Sequence, residues 1–154
     1  MKAEKIPDIR DILKMLPHRH PFVLVDRIVE LAPGESIVTL KNVTADDPFM
    51  QGHFPGNPTM PSELLIEGMA QSGGILALSS LPEDMRGIPV FFMALDKVQV
   101  TKLPAPGDQL IFTVRFLKKS SWAVKLAALA TVDGNKVCEA EIMATFGRKK
   151  GAVG

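Results

Sequence analysis

The sequence predicts an α+β fold in which one long central helix is wrapped by a curved antiparallel β-sheet of about six strands, because apolar faces must be buried in packed layers. Two observations carry this expectation. Residues 62–81 form the one long helical stretch, apolar nearly all round, and a helix of that kind belongs in an interior. The chain after it breaks into segments of alternating residues separated by turn residues, as sequentially paired antiparallel strands do. Wrapping the sheet round the helix buries the helix most fully.

In chain order, residues 8–16 carry Ile9, Ile12, Leu13 and Leu16 at helical spacings, with Pro7 near the first turn, so a short amphipathic cap helix is expected. Residues 22–31 and 35–43 read as a hairpin turned by Ala32-Pro33-Gly34. In the long helix, the Gly73-Gly74 pair should let another backbone come close. Strands follow at residues 90–101, 109–118, 121–132 and 136–146, the middle pairs punctuated by Pro106-Gly107-Asp108 and Asp133-Gly134-Asn135. Leu110, Phe112, Val114 and Phe116 define one face of a strand; Cys138, Ala140, Ile142, Ala144 and Phe146 define one face of another.

At 154 residues the chain is expected to be one domain, residues 1–154, with residues 147–154 a flexible tail. A formal net charge of +1 gives no indication of nucleic-acid binding. The single cysteine, Cys138, makes no disulfide framework. The longest apolar stretch, residues 73–80, falls far short of the roughly 20 residues a bilayer requires, and no secretory segment is visible, so a cytoplasmic location without membrane partners is the expectation.

Chemistry is suggested by His53 and Glu67. Between them a Pro- and Gly-rich loop runs into the apolar helix that holds Glu67, and burying an unpartnered carboxylate is costly. A structural Glu67 paired to an arginine or a backbone amide is the competing reading. His18 and His20 with the distant His53 supply too few ligands for a metal site, so no metal is expected.

Several separated segments together resemble one family. Leu16-Pro17-His18-Arg19-His20-Pro21-Phe22-Val23-Leu24-Val25-Asp26-Arg27-Ile28, Gln51-Gly52-His53-Phe54-Pro55-Gly56, Met60-Pro61, Glu67-Gly68-Met69-Ala70-Gln71, Pro106-Gly107-Asp108 and Cys138-Glu139-Ala140-Glu141 look, in order and spacing, like the 3-hydroxyacyl-acyl-carrier-protein dehydratases of type II fatty-acid synthesis. The resemblance implies the hot-dog fold, dimers that join two sheets, and frequently three such dimers in a hexamer. It also implies dehydration of (3R)-3-hydroxyacyl groups on acyl carrier protein to trans-2-enoyl groups without a cofactor. A hot-dog thioesterase and a non-catalytic paralogue that binds acyl carrier protein or acyl chains are the alternatives.

Dehydration takes a proton from C2 and protonates the hydroxyl leaving C3. His53 suits the base, since a neutral imidazole titrates near physiological pH, and Glu67 suits the acid if its surroundings keep it protonated. Roles shared through a water, or His53 performing both transfers while Glu67 positions the hydroxyl, are the alternatives that the sequence does not separate from this assignment. The Ser62 N–H at the helix start is a candidate donor to the thioester oxygen. Here the sequence departs from the family, which has Gly-Val where this chain has Ser62-Glu63; either Ser62 caps the helix and Glu63 faces solvent, or selectivity or activity is altered. Phe54 and Gly56 of the His53 loop, Gln71 one turn after Glu67, and Phe91 and Phe92 complete the expected substrate-binding set. The chain lacks tyrosine, which the family has near Phe91, and lacks the Ala-Arg-Phe that would stand at Val98-Gln99-Val100. For an acidic carrier the available cations are Lys97, Lys102, Lys118, Lys119, Arg148, Lys149 and Lys150.

Overall fold

A computed structural model describes residues 5–85 and 88–147. Six antiparallel strands make one sheet: β1 (Arg27–Ala32), β2 (Ser36–Asn42), β3 (Val90–Val100), β4 (Gln109–Lys119), β5 (Ala123–Val132) and β6 (Asn135–Phe146), in the spatial order β1-β2-β4-β5-β6-β3. The long helix α2 (Ser62–Ser79) packs on this sheet, and a short helix α1 (Ile9–Met15) packs on α2. This is the hot-dog arrangement, a curved sheet around a central helix. Asp8 caps α1, its carboxylate accepting from the Arg10 N–H while Asp11 accepts from the Asp8 N–H, and Ile12 is the residue α1 sends into the core.

Alternation put the core faces of the later strands where expected. Leu110, Phe112 and Val114 are fully buried, as are Cys138 and Ile142. Phe116 is only half-buried, and the Lys119 ammonium lies 4.8 Å from the centre of its ring. On β2 the core face is Ile37, Thr39 and Lys41, two of them polar. Each is satisfied: Thr39 Oγ1 and Ser72 Oγ of α2 lie 2.8 Å apart, and the Lys41 ammonium meets Asp47 at 3.3 Å, Asp26 at 3.8 Å and the Asn42 carbonyl at 3.0 Å.

Four expectations need correction. The first hairpin strand begins at Arg27 rather than at Phe22, because backbone groups ahead of it are taken by a side chain: Gln71 of α2 accepts from the Leu24 N–H and donates to the Phe22 carbonyl. The strands are not all paired in sequence, since β3 pairs with β6 at the sheet edge. The turn at Gly107, with φ +98°, is pinned instead to the end of β2 by hydrogen bonds from Gly107 N to Val43 O and from Val43 N to Asp108 O, so β4 enters beside β2.

Among the described residues, the close neighbours of the Gly73-Gly74 pair are side chains rather than a second backbone. A Cβ on Gly73 would stand 2.7 Å from a Leu126 methyl, whereas one on Gly74 would meet nothing within 4 Å. The tight glycine of the helix is Gly68, where a Cβ would lie 2.5 Å from the Phe112 ring. Finally, Gly147 at the start of the expected tail is held by a 2.7 Å hydrogen bond to the Pro89 carbonyl. Residues 148–154, with the cations Arg148, Lys149 and Lys150, lie outside the described residues.

Candidate active site

His53 sits in a loop that closes on itself. Phe54 and Asn57 exchange backbone hydrogen bonds of 3.1 and 3.0 Å, and Gly56 takes φ +78°, a conformation that glycine adopts without strain. Gly56 thus shapes the turn that presents His53, and it is exposed. Thr59 N–H donates to the His53 carbonyl at 2.7 Å, and His53 Nδ1 lies 3.1 Å from the Thr59 carbonyl. A carbonyl can only accept, so Nδ1 carries the ring proton and Nε2 of the neutral imidazole keeps a lone pair. The Phe54 ring stacks on the imidazole at 4.3 Å between centroids and is itself half exposed. Thr59 therefore orients the candidate base, a role that nothing in the residue pattern assigns to it.

Glu67 occupies the second turn of α2. Its side chain is 38% exposed, so it is less buried than the apolar character of the helix suggested. His18 Nε2 lies 3.2 Å from Glu67 Oε1, and Gln71 Nε2 donates to the same oxygen at 3.1 Å. His18 Nδ1 is buried without a hydrogen-bond partner among the described residues. Placing the proton there would bury an orphan N–H and set two acceptors face to face, so Nε2 carries it and donates to Glu67. Gln71 spends its remaining capacity on Phe22 and Leu24 and is 1% exposed. Its amide locks the segment containing His18 to the helix containing Glu67.

His18, like Thr59, is a site residue that the sequence did not reveal. Its spacing with His20 raised only a metal site, but its imidazole faces a carboxylate supplied by the helix. Among the described residues no group of three or more His, Cys, Asp or Glu side chains is placed to hold a metal ion. His53 and Glu67 make no hydrogen bond or ion pair with each other within the protomer, each having the partners just given.

A cavity of about 880 Å³ opens beside His18 and Gln71. Its walls are α1 with the segment running on to Arg19, the α2 face of Gln71, Gly74 and Leu78, and residues 88–92, which bring in Phe91 and Phe92. These two expected lining residues are found there; Met93, the next residue, is exposed and lies outside the cavity. The lining is chiefly apolar, with Lys14, His18, Arg19 and Gln71 as its polar side chains, a composition that suits an apolar ligand with a few polar groups.

At the start of α2 the cap residue is Pro61, which offers no side-chain hydrogen bond, so Ser62 is the first helical residue and does not cap. The Ser62 and Glu63 amides make no hydrogen bond among the described residues and are open to an acceptor. Glu63 is exposed. Of the candidate carrier contacts, Lys97 pairs with Glu141 at 3.4 Å and Lys119 donates to the Gly34 carbonyl at 2.7 Å, while Lys102 and Lys118 are exposed. No helix among the described residues is long and apolar enough to cross a membrane.

The chain is similar to known proteins. A family model described as FabA-like domain matches residues 16–141. The chain is 52% identical over 143 residues to the 3-hydroxyacyl-acyl-carrier-protein dehydratase FabZ of Syntrophobacter fumaroxidans, covering 93% of this chain and 96% of that protein. It is 48% identical to the FabZ dehydratase of Geobacter metallireducens, covering 95% and 97%. Among solved structures, a chain of the dehydratase heterocomplex ApeI:P from Xenorhabdus doucetiae superposes with TM-score 0.76 at 16% identity, covering 90% of this chain and 91% of that one, a likeness of fold.

Proposed function

Because the chain belongs to the FabA-like family and, within it, to the FabZ 3-hydroxyacyl-acyl-carrier-protein dehydratases, we propose that it removes water from (3R)-3-hydroxyacyl groups on acyl carrier protein, giving trans-2-enoyl thioesters for fatty-acid synthesis. The chain acts as one hot-dog domain. The observation that best supports this reading is the carboxylate of Glu67, oriented by His18 and Gln71, both of which line an apolar cavity.

In this reaction His53 Nε2 takes the proton from C2, the electron pair left behind forms the C2–C3 double bond, and the C3 hydroxyl departs as water with the proton that the Glu67 carboxyl carries on Oε2, Oε1 being taken by His18 and Gln71. Thr59 keeps the imidazole in the tautomer that can accept. Negative charge that gathers on the thioester oxygen meets the free amides at the start of α2, with Ser62 N–H the first donor. Exposed Glu63 is kept in water, where its charge opposes that oxygen least.

Two copies complete the site. Every residue from Phe91 to Val100 on β3 is exposed, including Phe91, Phe92, Met93 and Leu95, although β3 is an edge strand with unpaired backbone groups. Pairing β3 with β3 of a second copy covers both liabilities. It also gives His53 of one protomer a route to Glu67 of the other, which matches the absence of contact between them within one chain. Three such dimers form the hexamer. The protein works in the cytoplasm, where acyl carrier protein is its partner and cationic Lys102 and Lys118 are available to it.

The test is incubation with 3-hydroxyacyl-acyl-carrier-protein and detection of the products. Enoyl thioester is expected; free carrier thiol released without it would favour a thioesterase, and no reaction would favour a binding paralogue.

A further inference from the structure

Four residues of α2 share one helical face at intervals of four, three and four: Glu67, Gln71, Gly74 and Leu78. Glu67 is tied to the cavity through His18 and Gln71, and the other three line it. Read along the helix, this face presents a carboxylate, an amide, no side chain at all and then a leucine. At 1.5 Å per residue, Gly74 lies about 10 Å beyond Glu67 along the axis.

The two adjacent glycines of this helix are chemically alike and structurally opposite. Gly73 faces the sheet, where a Cβ would collide with Leu126; Gly74 is equally buried, but a Cβ there would stand in open space. Its φ is not in the left-handed region, so the backbone does not demand glycine. In a helix interior glycine is less favourable than alanine, and neither packing nor conformation accounts for that cost at Gly74. What the missing side chain leaves is room in the cavity.

We propose that Gly74 is a specificity-determining residue: it leaves free the part of the cavity between α1 and α2 through which the acyl chain runs beyond the reacting carbons, and so sets the length of acyl group that is dehydrated efficiently. This rests on the dehydratase reading above. An acyl chain that starts with C2 and C3 near Glu67 and follows the apolar wall passes Gly74 before it reaches Leu78.

The experiment compares kcat/KM for a short and a long straight-chain 3-hydroxyacyl-acyl-carrier-protein in the full-length protein, Gly74→Ala and Gly74→Leu, with thermal unfolding and oligomer size recorded for each. The long-to-short ratio is expected to fall in the order Gly, Ala, Leu, by about tenfold or more in Gly74→Leu, within the range that misfit of a few atoms produces in an apolar pocket. Equal loss on both substrates, or no change in the ratio, overturns the role of Gly74. A lowered melting temperature or a dissociated assembly in Gly74→Ala also overturns it, since Gly74 would then be a packing glycine. Wild-type protein that dehydrates neither substrate overturns the dehydratase reading itself, whatever the variants do.

Discussion

His18 Nε2 stands 3.2 Å from Glu67 Oε1, a contact that spans 49 positions of sequence and joins the segment ahead of β1 to the central helix. Hydrogen bonds to charged groups are worth about 1.5–3 kcal/mol, and Glu67 becomes charged as it gives up its proton. His18→Ala is therefore expected to lower kcat by roughly tenfold to a hundredfold with little change in KM. His18→Gln, whose amide can still donate, should recover part of the loss. A variant that changes melting temperature while keeping kcat would make His18 a purely structural residue.

Gln71 is the clamp behind that contact. Replacing it with Leu conserves bulk but leaves the Leu24 N–H, which is in a buried residue, without its acceptor and the Phe22 carbonyl without its donor. Each buried group left unsatisfied costs about 1–3 kcal/mol, so Gln71→Leu should be destabilised by an amount readily measured in chemical denaturation. Stability equal to wild type would show that these backbone groups find other partners.

The absence of any His53–Glu67 contact within the protomer bears on how the site is assembled. If one site draws His53 and Glu67 from different subunits, mixing His53→Ala with Glu67→Gln and allowing subunits to exchange should restore part of the activity that each variant lacks. A mixed dimer that forms and stays inactive would place both residues of a working site in the same chain.

Much of this architecture was legible in the sequence, for physical reasons that also mark its limits. Strand faces were readable because Leu110, Phe112 and Val114 alternate with more polar neighbours, and a two-residue period has one structural meaning. The apolar girth of residues 62–79 announced a buried helix in the same way. The partner of β3 was not readable, because a turn at Gly107 signals a change of direction and says nothing about which strand lies alongside. Lys41 and Thr39 broke the polarity rule on β2 and are satisfied only by groups from elsewhere in the chain.

In the site, His53 and Glu67 stood out by type and context, and Gln71 by its place one helical turn after Glu67, whose carboxyl its amide meets. Thr59 and His18 did not stand out, because they act through a hydrogen bond to a backbone carbonyl or across a long separation, and such bonds leave no periodic trace. Ser62 illustrates the converse. Its residue type suits a helix cap, but Pro61 takes that position and moves Ser62 into the first turn.

The most direct test of the central claim is the rate of trans-2-enoyl thioester formation from 3-hydroxyacyl-acyl-carrier-protein by the wild-type protein, His53→Ala and Glu67→Gln under identical conditions. Wild type should turn over, and each variant should be slower by about a hundredfold or more, the usual effect of losing a general acid or base, with melting temperatures close to wild type. Near-normal turnover in either folded variant would contradict the acid–base roles assigned to the pair.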